Sequence, residues 1–501
     1  MIAMPKILAQ SSLGARFSNG VFWAIVGTAI SQSIGLIASI ISARILGKVQ
    51  FGEFGIIQST IGMYGVFAGL WLGVGATKFI AELKHDSPNR AGHIIGLSFI
   101  IAVVSSLVVS LTIIFFSSYI TRSVLNAPHL ETELRFVAGI IVLNVMDGVQ
   151  VGALSGFEAF RAIARTGVIR SIVAFPVTVL LLWLWGLNGA ILSLAVIGVL
   201  NLWINHRALK SECKRFNVVV SYKGTTSELR PFLSFSTPAL LGSVLGAPVL
   251  WIANALLVNQ PNGYAEMGVY SIANTWKTAV MFIPRKFISV ALPMMSAEVN
   301  KDATDSKYDA VFNYTQSFSI LVVVPLVTFL ICASHLIVKM YGEKFADAHV
   351  VLIGVLLATG ISALGSGIGP AVQASGKMWF GLFTNILWSG TFLLFTWLFV
   401  PYWGAKALVF GMALAYSVNV IYTIFAMRRE LPKGVMTRVV GSIILFCLVT
   451  IPAIYMDELY LNLVMLPLTV VTSILAFFFL ISPSIRDKFI QFYNIRMARK
   501  A

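Results

Sequence analysis

The sequence predicts an all-α polytopic membrane protein of about fourteen transmembrane helices, built as two parallel six-helix repeats followed by two C-terminal helices. Three observations carry that expectation. Of 501 residues, 58% are hydrophobic and only 11% charged, too few ionic groups to cover a water-soluble surface. Apolar runs of about 20 residues recur along the whole chain, the length that crosses a hydrocarbon layer. Short motifs also repeat at a nearly constant spacing between the two halves.

The runs fall near 20–43, 54–76, 94–120, 136–157, 171–187, 189–206, 232–257, 267–295, 311–333, 350–372, 381–400, 405–426, 439–456 and 462–482. Gly27, Gly35, Pro176, Pro238, Pro248, Pro284 and Pro325 interrupt several of them. Bilayers tolerate such residues because neighbouring helices satisfy the freed backbone groups. The first run follows Lys6 and Arg16 and continues too long, without a small-residue cleavage site, to be a signal-peptide core. It is expected to stay as a helix.

The formal net charge of +16 would suggest nucleic acid in a soluble protein, but here its distribution decides. An even number of spans puts both termini on one side. Placing them in the cytoplasm assigns about 26 of the 36 Lys and Arg residues to cytoplasmic segments and about 7 to external loops. Arg207, Lys210, Lys214, Arg215, Lys223 and Arg230 cluster between the sixth and seventh runs, and Arg486, Lys488, Arg496, Arg499 and Lys500 lie in the tail. The charge is therefore read as topology and not as nucleic-acid recognition, with lipid headgroups or a partner as the other reading of the two clusters. Trp71, Trp183, Trp185 and Trp403 fall near the expected outer ends, and Trp203 and Trp379 near the inner ones.

Motifs of catalysis are missing from the sequence. Cys213, Cys332 and Cys447 are too few and too scattered for a disulfide framework or a zinc cluster. Neither an H-E-x-x-H set nor a Walker-type nucleotide loop occurs. Neither an enzyme nor a resident metal or cofactor is expected, so energy must come from a gradient, a partner or the substrate.

Residues 43–55, ARILGKVQFGEFG, join the first two runs, and AEMGVY opens the eighth, pairing Glu53 with Glu266 and Gly55 with Gly268. Ala81-Glu82 answers Ala297-Glu298, Gly189-Ala190 answers Gly404-Ala405, and Ser155-Gly156 answers Ser375-Gly376. The duplication divides the chain into a first lobe (1–208), a basic linker (209–230), a second lobe (231–428), and the last two helices with a basic tail (429–501). Parallel repeats of this kind belong to transporters whose halves rock about a central substrate.

Charges within the apolar runs mark the candidate site, because each costs ~2.5–3.5 kcal/mol at a helix centre and persists only with a partner or a watery cavity. The eighth run carries Lys277, Arg285 and Lys286, and the fourth carries Asp147. Lys277 and Arg285 share a stripe with Tyr270, Asn274 and Met281, spanning about 12 Å along the axis. Three cations against one acid leave positive charge for an anionic substrate, and arginine's fork suits phosphate oxygens. The alternatives are snorkelling of Lys286 and a structural Asp147–Lys277 pair. Asp147, flanked by Asn144 and Gln150, is a candidate coupling or charge-balancing group. Gln32, Ser33 and Gln58 are candidates for cavity lining or for helix-to-helix hydrogen bonding. Arg44 is an interface anchor or a further cavity residue, and Lys377 reads as topology.

Four segments resemble the Wzx-type polysaccharide flippases of the MOP exporter superfamily, in order and over nearly the whole chain. They are ARILGKVQFGEFG after the first run, ALPMMSAEV ending the eighth, MYGEKFADA before the tenth and SGK between the tenth and eleventh. The resemblance implies a MOP/MATE-like bundle that carries polyprenyl (undecaprenyl)-pyrophosphate-linked oligosaccharide across the bacterial inner membrane, by alternating access through a cationic cavity. O-antigen, capsule or exopolysaccharide would be the product. Lys277 and Arg285 match the family's basic residues on helix eight. The first two runs carry no cation at midspan, which leaves Arg44 or Lys78 to serve the first lobe. No cofactor is implied. The drive would be H+, another ion or the membrane potential, and the partners would be the membrane and other polysaccharide-assembly proteins such as a polymerase or chain-length regulator. Two alternatives are a MATE-like cation-coupled exporter of small molecules, which needs acids in its cavity, and a membrane-bound polymerase, which needs a catalytic outer loop.

Overall fold

A computed structural model describes residues 12–69, 72–232, 244–298, 306–455, 458–483 and 485–487, and all regular structure among the described residues is helical. Two long stretches are each broken at one internal point. Ser12–Gly69 breaks at Gly47, whose φ is 70°, and Phe160–Arg215 breaks at Trp185 and Gly186. They comprise α1 (12–46) with α2 (48–69), and α6 (160–184) with α7 (187–215). Between them lie α3 (Leu72–Leu83), α4 (Pro88–Tyr119) and α5 (Glu131–Gly156). There follow α8 (Gly246–Val258), α9 (Gly263–Glu298), α10 (Ser306–Cys332), α11 (Ser334–Tyr341), α12 (Ala348–Leu364), α13 (Ile368–Ala374), α14 (Met378–Trp403), α15 (Ala405–Ala426), α16 (Val435–Tyr455) and α17 (Glu458–Leu475).

Nine helices among the described residues are long and apolar enough to cross a membrane. Dividing two of them at their breaks, and adding α9 and the shorter apolar helices at 246–258 and 467–480, recovers the fourteen runs in chain order. Boundaries differ in two places that matter. A single-residue break at Gly47 replaces the expected loop between the first two helices. The fifth helix starts at Phe160 instead of 171, which puts Arg161, Arg165 and Arg170 on the helix.

The chain divides into two compact units, residues up to 46 with 53–259, and 47–52 with 260–501. In the first, α5 packs against α3, α4 and the 160–215 helices. Thr77 Oγ1 donates to the Gly152 carbonyl (2.9 Å), and Lys84 Nζ reaches both Glu158 (2.7 Å) and the Gly156 carbonyl (3.2 Å). The first unit runs to residue 259. α8 belongs to the first unit because Trp251 Nε1 donates to Thr60 Oγ1 (2.9 Å) and Asn254 Nδ2 to Ser59 Oγ (2.8 Å) on α2. Buried donors of this kind have no water to turn to in lipid, so they fix the helix they reach.

In the second unit, α12 is buried along most of its length between α9, α10, α15 and α16. The last two helices are part of this unit. α17 packs on α10, and Arg438 at the start of α16 donates to Asn313 Oδ1 on α10 (3.0 Å). Residues 47–52 join it through Lys48 Nζ, 2.6 Å from Asp347 Oδ1, and through a backbone crossing with α9. A side chain at Gly52 would stand 1.8 Å from the Tyr264 carbonyl, and one at Gly268 2.2 Å from the Lys48 carbonyl, so only glycine permits the approach.

Candidate functional site

Candidate residues fall in both units, and each unit presents its own polar face. In the second, Lys277 lies about 21 Å along α9 from its start, near the middle of the helix. Its Nζ is half-buried, 3.2 Å from Met412 Sδ and 6.0 Å from the Tyr416 ring centroid, both on α15. Among the described residues no carboxylate lies within ion-pair distance of it. A thioether and an aromatic face are weak partners for an ammonium, worth a fraction of a charge-assisted hydrogen bond.

Tyr270 is buried within the unit and hydrogen-bonded to the half-buried Asn274, which makes it a support for the polar stripe more than an open contact. Met281 is buried too, while Arg285, two helical turns beyond Lys277, is exposed. The side chain of Lys286 lies outside the described residues. Sequence reading missed Met412 and Tyr416, since nothing local marks two α15 residues as neighbours of a lysine more than 130 positions earlier.

In the first unit, Asp147 on α5 is half-buried, and its Oδ1 accepts a hydrogen bond from Asn205 Nδ2 on α7 at 2.7 Å. Its charged neighbour is Arg170 on α6, half-buried and beyond ion-pair distance. All three sit nine or ten residues from the ends of their helices at 156, 160 and 215, about 14–15 Å along them. The first unit thus carries a half-buried cation of its own, and it comes from α6. Segment 160–170, FRAIARTGVIR, has the apolar spacing of a helix, so the longer helix was readable in it.

α1 crosses α6 just below Arg170. Ser31 Oγ donates to the Gly167 carbonyl (3.3 Å), and Gly27 rests against Ala164. Gln32, next to this crossing, is half-buried, and Gln58 on α2 is exposed. Ser33 turns back to the Ala29 carbonyl of its own helix (3.0 Å). Arg44 is exposed near the end of α1. Lys377 is ion-paired with Glu430 in the turn region between helices.

The fold is that of the MOP superfamily of membrane transporters. An inward-facing MATE-family multidrug transporter of that superfamily superimposes with a TM-score of 0.66 at 16% identity, over 81% of this chain and 99% of that one. Lipid II flippase MurJ in an inward closed conformation gives 0.68 at 12% identity, over 90% and 97%. The chain belongs to the polysaccharide biosynthesis protein family, whose model matches residues 17–299. Among curated relatives, the EPS I polysaccharide export inner membrane protein EpsE of Ralstonia nicotianae is 22% identical over 418 residues, covering 81% of this chain and 92% of EpsE. Lipid III flippase of Escherichia coli is 23% identical over 286 residues, 56% of this chain and 67% of the flippase. Each of these names describes an exporter, a transporter or a flippase, and none a catalyst.

Proposed function

We propose that the chain is a bacterial inner-membrane flippase that moves polyprenyl-diphosphate-linked oligosaccharide outward for surface polysaccharide synthesis, by alternating access through a cationic cavity. The observation that carries this reading is Lys277, a mid-helix ammonium whose nearest partners are a thioether and a tyrosine ring. An uncompensated cation at that depth is costly, and a diphosphate passing by offsets the cost. Membership of the polysaccharide biosynthesis family and the names of the relatives support the same substrate class. In this reading both termini are cytoplasmic, Arg285 and Lys286 assist Lys277, and Asp147 tunes the charge of the opposite lobe. The membrane potential supplies the drive, and other polysaccharide-assembly proteins receive the product.

The test replaces Lys277 and Arg285 with Gln in the full chain, confirms membrane insertion, and scores surface polysaccharide in a deletion background. Loss of most of the polymer is expected. Wild-type polymer from the double variant would remove both residues from the site. An exporter of organic cations would need an acid where Lys277 stands, and substitution by Gln would then improve transport.

A further inference from the structure

α7 gathers exposed cations on one of its faces. Residues 187–205 hold no charged side chain and make about 28 Å of helix, the thickness of a hydrocarbon layer, so the turns from His206 to Arg215 project beyond it. Trp183 and Trp185, 72% and 56% exposed, stand at one end of this stretch, and Trp203, 54% exposed, stands near the other. Exposed indoles at both ends of a span mark the two borders of a bilayer. At 100° per residue, Val196, Val199, Trp203, Arg207, Lys210 and Lys214 fall within about 40° of one line along the helix. All six are exposed. The line is apolar up to Trp203 and cationic after it.

Arg207 is the organised member of the face, with its Cζ 4.0 Å from the Trp203 ring centroid. A guanidinium stacked on an indole keeps the N–H donors at its edge free, in the fork that fits two phosphate oxygens. Lys210 and Lys214 follow about 5 and 10 Å further along the axis. Among the described residues no carboxylate lies within ion-pair distance of these three. Glu212, the acid on α7, stands on the opposite side of the helix and meets Arg215 at 3.4 Å. Lys84 and Arg90, elsewhere in this unit, are committed to Glu158 and Glu228. A lipid can meet the valines and the cations at once, because its phosphate lies just outside the layer that holds its chains. A zwitterionic headgroup would bring an ammonium against these cations, whereas a glycerol headgroup brings only its phosphate.

We infer that this face of α7 is a binding site for an anionic phospholipid of the surrounding membrane. Arg207 and Lys210 take the headgroup phosphate, Lys214 borders it from the aqueous side, and the acyl chains lie along Val196, Val199 and Trp203. The bound lipid is a resident of the bilayer and not the cargo, so the inference stands apart from the flippase reading.

Native mass spectrometry of the purified full chain, titrated with phosphatidylglycerol or with phosphatidylcholine of the same acyl chains, tests it. Wild-type protein should bind phosphatidylglycerol at least tenfold more tightly. Arg207→Gln and Lys210→Gln should each weaken it about fivefold, the factor one cation carries at a lipid surface, and the triple variant with Lys214→Gln about a hundredfold. Phosphatidylcholine binding should not change. All three side chains are exposed, so the variants keep the packing of the bundle. Lys223→Gln, exposed and off this helix, removes the same charge and should leave the affinity unaltered. An equal loss in Lys223→Gln would show bulk charge in place of a site and overturn the inference. A triple variant with wild-type affinity, or wild-type protein with no preference between the two lipids, would do the same. Undecaprenyl diphosphate should fail to displace phosphatidylglycerol at equimolar amount. Displacement that the triple variant abolishes would assign the face to cargo and overturn its role as a phospholipid site.

Discussion

Lys277 and Arg438 are both cations within apolar helices, yet their surroundings separate them. Lys277 meets Met412 Sδ and the Tyr416 ring, whereas Arg438, 5% exposed, donates to Asn313 Oδ1 and to the carbonyls of Gly434 and Lys433. The second is held by three acceptors within its own unit. Replacing Arg438 with Met should cost about 1–3 kcal/mol, because the Asn313 oxygen loses its donor. Replacing Asn313 with Leu should cost more, because the guanidinium then stays buried with two longer backbone contacts. Thermal unfolding of the two variants in detergent gives the order, and the reverse order would contradict the assignment. The duplicated Glu53 and Glu266 illustrate what residue spacing alone can reach. Both contact a loop of their own unit, Glu53 through His129 (2.7 Å) and Glu266 through the Ala405 backbone N–H (3.0 Å). Their equivalence was readable in the sequence, but neither partner was.

The basic segment after α7 is docked on the bundle. Val219 and Ser221 run across the start of α4, and their carbonyls would stand 1.9 and 2.0 Å from side chains built at Gly92 and Gly96. Arg90 then clasps Glu228 through two hydrogen bonds of 2.6 and 3.0 Å. That bonding holds the Glu228 carboxyl below its ordinary range. A depressed carboxylate stabilises the docked state above its ordinary pKa and loses that contribution as pH falls through the lowered value. Hydrogen exchange over 216–228 should therefore be slow at neutral pH and rise as the medium becomes strongly acidic. Arg90→Gln should raise it already at neutral pH, and unchanged exchange in that variant would show that the clasp holds nothing. Sequence reading saw in this stretch only positive charge. The anchoring acid is a single Glu, and its partner lies 138 residues earlier.

Transport direction is a property of the assembled protein and its membrane. A diphosphate diester with about two negative charges leaving a negative-inside cell gains ~2.3 kcal/mol per charge for each 100 mV. Under the proposed function, collapsing the potential in vesicles should slow outward movement severalfold, and an unchanged rate would remove the potential as the drive. The helical class and the order of the apolar segments follow from composition and spacing. Hydrophobicity acts over 20 residues at a time and a duplication copies local motifs, so both are written along the chain. The helix starting at Phe160 escaped the hydropathy count because Arg161, Arg165 and Arg170 lower the mean over a segment that still has helical spacing. What Asp147, Lys277 and Arg438 do with their charge was decided by folding. Their neighbours Asn205, Met412 and Asn313 arrive from other helices, 58 to 135 residues away, and only the packing of those helices determines which polar atoms meet.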